Sequence, residues 1–294
     1  MIDVFNIPNS NQDISIFYSN GVSNSWQTWQ KPRNCQWVWI MTIGGGGGGA
    51  GGSNNSGNAA TGGGSGAVTR ATFNASQLPD TLFIQVGVGG VGGTSANSGN
   101  SGNKSIVSIL PNTTTTNGIL SSGGSTAAVG GSTSGAVVAG EIVFTTPFAA
   151  FATLSTFTSV LGRSSNGPNG FVSVNITPLT SQITSPGASG AGLSVSTPVA
   201  INGASIEATN ISPLISGGLG TIASSTNGGD GGNGITSWKP FFSTGGAGGG
   251  NSGSGTGGNG GNGGIGSGGG AGGSGVTGGR GGNGGDGIVM IIAF

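Results

Sequence analysis

From Gly257 to Asp286 the chain is a run of triplets, GGN GGN GGI GSG GGA GGS GVT GGR GGN GGD. Glycine opens every triplet and fills the second place of most. "GGA GGG" at 245–250 keeps the same phase. A flexible linker has no reason to hold a period of three. That period belongs to extended left-handed helices with three residues per turn, which have no internal hydrogen bonds and point their N–H and C=O groups outward. Collagen is excluded, because its X and Y places are rich in proline and this run has none. Two glycines per triplet imply that two of the three helix faces are crowded. The expected arrangement is a set of polyglycine-II helices packed side by side and bonded laterally, where no Cβ separates the backbones. Ordering glycine is entropically more costly than ordering any other residue. Lateral hydrogen bonds of roughly 0.5–1.5 kcal/mol each must offset that cost, with flanking strands supplying the hydrophobic contribution.

Length adds a constraint. At about 3.1 Å per residue, residues 257–287 would reach on the order of 95 Å, whereas a compact chain of this size is roughly 50 Å across. The run must fold back at least once, and the degraded triplets GSG and GVT are the expected places. The chain then closes on "IVMIIAF", an apolar strand that would be an aggregation hazard on a loose tail. It is expected to dock beside "WVWIMTI" at 37–43, so that both long glycine runs leave one sheet at the same edge.

Glycine accounts for 70 of 294 residues, and Lys plus Arg and Asp plus Glu number seven each. Charge-driven disorder needs high net charge, and a nucleic-acid partner needs a clustered basic surface. Neither is present, so no nucleic-acid partner is expected. Histidine is absent and Cys35 stands alone, which excludes an intrachain disulfide, a cysteine-based metal site and any Ser-His-Asp or Cys-His set. No catalytic residues, cofactor or metal are expected, and the chain reads as a non-enzyme. "GGNGGDGIV" fits a calcium-binding nonapeptide, but that motif needs tandem copies. The near copy upstream has Asn233 where an aspartate is required, so Asp286 reads as a polar group on an exposed helix edge. The N-terminus has no basic region of the secretory type.

The fold class expected is mainly β, with β-sandwich-like strands combined with packed polyglycine-II helices and little or no α-helix. In "CQWVWIMTI" both alternating faces are largely apolar, which suggests a strand covered on both sides. "ISIFYSNG" and "SWQTWQKP" offer a further strand and a turn ending at Pro32. "AVTRATFNASQLPDTLFIQV" offers two strands around a turn near Leu78-Pro79-Asp80. The division expected is 1–140, an N-terminal β and glycine-rich part; 141–225, a strand-rich insertion ("EIVFT", "GFVSVNIT", "GLSVST", "ASIEATNI"); and 226–294, a glycine-rich part whose last strand packs back on the first part, making one compact unit. Residues 142–161 are uncharged and of spanning length, but Pro147 and many Ser and Thr residues favour strands over a membrane segment.

Exposed aromatics are the remaining place to look for a site. "TSWKPFFST" lies between two glycine segments and offers Trp238, Phe241 and Phe242, which read either as core or as a contact patch for a receptor. Trp26 and Trp29 read as packing residues.

The order "WQTWQKP…WVWIMTIGGGGGGAGG", "ASQLPDTLFIQVGVGGVGG" and closing "GGNGGDGIVMIIAF" resembles the glycine-rich domain of bacteriophage tail-fibre and other virion proteins. The likeness covers about residues 26–110 and 226–294. More loosely, the chain is similar to distal tail-fibre adhesins of T-even-like phages, in which stacked polyglycine-II helices present variable loops to a bacterial receptor. The resemblance implies a virion structural protein on the exterior of the particle, a tail-fibre or host-attachment component. Its expected partners are other virion proteins and a bacterial surface glycan or outer-membrane protein, with no membrane insertion; a homo-trimer fits a fibre. A capsid decoration or head-fibre protein, and a cellular glycine-rich surface or ice-binding protein, are the alternatives.

Overall fold

The computed structural model describes residues 13–55, 57–114, 117–125, 128, 142–143, 153–157, 183–193, 199–222 and 226–294. "GFVSVNIT" lies outside them. The structure is mainly β, with antiparallel sheets and, among the described residues, only one short 3-10 turn at Ala75–Gln77.

Among the described residues, two five-stranded sheets carry most of the buried apolar side chains. The first has the order β1 (Asp13–Tyr18), β12 (Ile288–Ala293), β3 (Trp37–Ile43), β4 (Val68–Asn74) and β9 (Thr153–Phe157). The second has the order β2 (Trp26–Gln30), β5 (Thr81–Gln85), β6 (Ser105–Ser108), β7 (Gly118–Ser122) and β8 (Ile142–Val143). A hairpin of β10 (Thr236–Trp238) and β11 (Phe241–Ser243) completes the strands among the described residues.

The closing strand pairs with β3 as the sequence led us to expect, Ile288 opposite Ile43 and Ala293 opposite Val38. It lies between β1 and β3, so all six of its residues are buried. Val289 and Ile291 turn to a core shared with Trp29, Leu82, Ile84, Val107 and Leu120 of the second sheet. Ile288, Met290 and Ile292 turn to the opposite side, where Ile183, Trp238, Phe241 and Ile265 cover them. Each such aliphatic chain contributes roughly 1.5–3 kcal/mol on burial. The alternation within "WVWIMTI" divides in the same way, with Val38 and Ile40 on one side and Met41 and Ile43 on the other. Thr42 is the polar exception. Its buried hydroxyl lies 2.6 Å from that of Ser122, which also donates to the Thr42 carbonyl at 2.8 Å. The two strands of "AVTRATFNASQLPDTLFIQV" form on either side of the expected turn but do not pair with each other. β4 joins the first sheet and β5 the second.

Beyond the sheets the glycine runs bond to one another. From Gly44 onward, successive N–H groups go to three different neighbours, and the cycle repeats every third residue. Gly44, Gly47 and Ala50 donate to Ala67, Gly64 and Thr61. Gly45, Gly48 and Gly51 donate to Asn103, Asn100 and Asn97; Gly46, Gly49 and Gly52 donate to Gly285, Gly282 and Gly279. These bonds are 2.8–3.0 Å long, ordinary amide–carbonyl lengths.

The 257–287 run folds back twice, at both degraded triplets. Gly266, with φ of 63°, turns the chain after 257–264, and Val276 turns it again before 277–287, with Thr256 and Thr277 bridged in parallel. The middle pass is enclosed. Residues 268–275 all donate to backbone carbonyls, in rotation to the runs containing Ser185, Gly47 and Gly261. They accept in turn from Gly63, from Gly246 and Gly249, and from Gly279 and Gly282. Lateral approach this close leaves no room for a side chain: a Cβ on Gly270 would overlap the Ala247 carbonyl.

Part of 141–225 belongs to this array. Gly187 and Gly190 donate to Gly63 and Ala60, Ala188 and Ala191 to Gly246 and Gly249, and Gly203 to Gly218. "ASIEATNI", expected as a strand, has only the isolated bridge Ile206–Ile215. Its glycine-spaced neighbours favour lateral bonding to separate runs over a continuous ladder.

Candidate functional site

The array has two ends. The sheets lie at one, because β3, β5 and β12 each adjoin a glycine run there: Ile43 is followed by Gly44, Gln85 by Val86-Gly87, and Ile288 is preceded by Gly287. The Gly266 turn also lies at the sheet end, beside Ile43, whereas the turns near Asn54, Ser252 and Val276 lie at the other end and are tied together. Gly278 donates to Asn54 Oδ1 at 2.8 Å, Val276 N–H to the Gly255 carbonyl at 2.9 Å, Gly253 N–H to the Thr221 carbonyl at 2.9 Å, and Ser252 Oγ to the Thr226 carbonyl at 2.6 Å. None of these residues is charged, and the exposed apolar side chains Val199, Leu219, Ile222 and Val276 lie among them or within a few residues. Leu219 is 71% exposed. Nearby, buried Asn251 accepts from Ile201 N–H at 2.8 Å and donates to the Val199 carbonyl at 2.8 Å, which fixes the 199–201 segment against the array.

One lateral face of the array is lined by polar rows. The third place of each outer triplet has an N–H with no further run beside it. The neighbouring run's side chain supplies the acceptor instead. Asp230 and Asn233 accept from the N–H groups of Asn259 and Asn262, at 2.7 and 2.8 Å. Asn259 and Asn262 accept from Arg280 and Asn283, both at 2.9 Å, and Asn283 and Asp286 accept from Gly92 and Gly89. Asp286 is thus an edge acceptor. Inside the array the same third place holds a small buried residue, Ala50, Ala247 or Ala271.

The aromatic hairpin lies at the junction of sheet and array. Trp238 is opposite Phe241, and their rings are 5.2 Å apart at 45°. Phe242 is buried, as in the core reading; Trp238 and Phe241 are half-buried and pack on the Met41–Met290 cluster. Tyr18, 52% exposed, adds an edge-on ring 6.4 Å from Trp238. The sequence alone gave no signal for Tyr18, because the contact comes from the β1–β12 pairing. The hairpin closes through exposed Lys239 and Pro240, joined by a cis peptide bond. This surface can stack against a flat ligand.

Among the described residues no cluster of His, Cys, Asp and Glu could hold a metal ion. No helix among them is long and apolar enough to cross a membrane.

A family model described as a glycine-rich domain matches residues 21–294. The chain therefore belongs to the glycine-rich domain family, and the match includes the 141–225 stretch that the motifs quoted above leave out. No curated protein matches the chain.

Proposed function

We propose that the chain is a structural protein of a bacteriophage virion, a tail-fibre or host-attachment component on the exterior of the particle. One observation carries the reading: a backbone-bonded array separates an apolar sheet block at one end from a set of mutually tied, uncharged loops at the other. We further infer that the runs are polyglycine-II helices and that the two sheets form a sandwich. The three-residue rotation of lateral hydrogen bonds supports the first, and the core shared by the two sheets supports the second. An experimental structure with run dihedrals far from φ about −75° and ψ about +145° would refute the helix assignment.

In this reading the sheet block attaches to other virion proteins. The loops around Leu219 and Ile222, and the partly exposed rings of Trp238, Phe241 and Tyr18 beside the buried Phe242, meet a bacterial surface glycan or outer-membrane protein. Uncharged surfaces of Asn, Ser, Thr and aliphatic groups suit recognition by hydrogen bonding and apolar contact. They need no long-range electrostatic steering.

Immunogold labelling of phage particles with antibody to this chain tests the proposal by negative-stain microscopy. Label on tail fibres is the expected result, and label on no particle refutes the virion reading. Label on the head would instead assign the chain to capsid decoration. Binding of the purified chain to host cells, reduced by Leu219→Asp or Trp238→Ala, tests the attachment role.

A further inference from the structure

At the end of the sheets away from the array, two turns enclose a notch of about 540 Å3. The first, residues 31–36, joins β2 to β3; the second, around Ala75–Gln77, joins β4 to β5. Pockets that bind small ligands span roughly 300–1,000 Å3. Lys31, Arg33 and Asp80 all line this one, in a chain with only seven cations and seven anions.

These charges are not equivalent. Lys31 is structural: Nζ donates to the carbonyls of Ala75 at 3.1 Å and Leu78 at 2.6 Å, and lies 3.1 Å from Asp80 Oδ1. The Lys31 N–H also donates to the Asp80 carbonyl at 2.7 Å, so this residue clamps the two turns together. Asp80 therefore answers the Lys31 charge. Arg33 is exposed on the notch wall, and among the described residues no carboxylate lies within ion-pair distance of it. Its guanidinium is a fork suited to a planar carboxylate.

The rest of the wall selects what that carboxylate belongs to. The Ser76 hydroxyl donates to Asn74 Oδ1 at 2.7 Å, so its oxygen is left on the notch wall as an acceptor. The second oxygen of Asp80 is another acceptor. Asn34, held at φ 66° between Arg33 and Cys35, brings an amide with both donor and acceptor capacity. Among the described residues the wall thus combines one cation that has no carboxylate within ion-pair distance with several solvent-exposed acceptors. A simple anion satisfies only the cation, and a neutral sugar satisfies only the acceptors.

We propose that this notch is a binding site for a hydroxylated carboxylate of the uronic-acid class, with the carboxylate on Arg33 and hydroxyls donating to Ser76 Oγ and Asp80. The site lies at the far end of the molecule from the tied loops, and the proposal does not depend on the virion reading. Either can fail alone.

The experiment uses the full chain with glucuronate as probe, glucose as its neutral match and acetate as the carboxylate without hydroxyls. Titration followed by NMR or calorimetry is expected to give a Kd of about 1 mM for glucuronate. Glucose, acetate and the variant Arg33→Gln are expected to bind about tenfold more weakly or not at all. A second readout needs no variant. Cys35, the single cysteine, is half-buried in the notch wall, so saturating glucuronate is expected to slow its reaction with a thiol reagent while glucose does not. Glucuronate binding no tighter than glucose or acetate, undiminished binding to Arg33→Gln, or no protection of Cys35 would each overturn the site.

Discussion

Ile43 and Ile288 face each other on adjacent antiparallel strands, and the next residue outward on each, Gly44 and Gly287, is the first of a glycine run. The two longest runs therefore enter the array from the same end of one sheet. The array inherits its starting register from that pairing. With Ile43 and Ile288 paired, Gly44 and Gly287 are held side by side, which reduces the entropy lost in aligning two featureless chains.

If the lateral bonds hold the array together, a methyl group at its centre should be poorly tolerated. Gly270→Ala places a Cβ against the Ala247 carbonyl, backbone that cannot rotate away. We expect a loss of about 1–3 kcal/mol, the usual range for overpacking, or a fall in Tm of roughly 2–4 °C per kcal/mol. Thermal unfolding checks it; an unchanged Tm would mean that the runs are not closely packed at this point.

Asn251→Ala and Asn262→Ala should differ in severity. Asn251 is fully buried and its amide serves Ile201, Gly192 and Val199, so truncation orphans several groups, each worth about 1–3 kcal/mol. Asn262 accepts a single exposed N–H from Asn283, which water can satisfy in its place, and its loss is expected to remain below about 1 kcal/mol. Comparable effects in chemical denaturation would argue against the buried network around Asn251.

Amide hydrogen exchange distinguishes architecture from slack. The N–H groups of residues 268–275 all donate within the array. They are expected to exchange on the order of a thousandfold more slowly than those of the exposed turn at 20–24. Equal rates would show that the run is open in solution.

Ile291→Ala removes a fully buried chain from the strand that lies between β1 and β3. A loss of about 2–5 kcal/mol is expected by denaturant titration. Because the same strand leads out of the run ending at Gly287, the variant should also speed exchange at Gly284 and Gly285. Destabilisation confined to the sheet would mean that sheet and array unfold separately.

Much of this was legible in particular residues. The triplet period of 257–286 anticipated a repeat of three in the backbone bonding, its flawed triplets marked both turns, and the apolar alternation of "WVWIMTI" implied a strand covered on two sides. The third letter of each triplet carried a further signal that is readable only with the structure: alanine at 271 lies inside the array, whereas asparagine at 259, 262 and 283 caps its edge. Tyr18 beside Trp238, and Arg33 beside Ser76, had no sequence signal, because each pair is joined through strand order.

By itself, then, the sequence determined that the backbone of this chain would serve as its own packing surface, since only glycine allows carbonyls and amides of separate runs to meet without a Cβ between them. Which run bonds to which was decided by the tertiary structure. Glycine runs are nearly interchangeable as hydrogen-bonding partners, so their order follows from the few unlike residues at the ends: the Ile43–Ile288 pairing, the turn at Gly266 and the loops tied through Asn54 and Gly255.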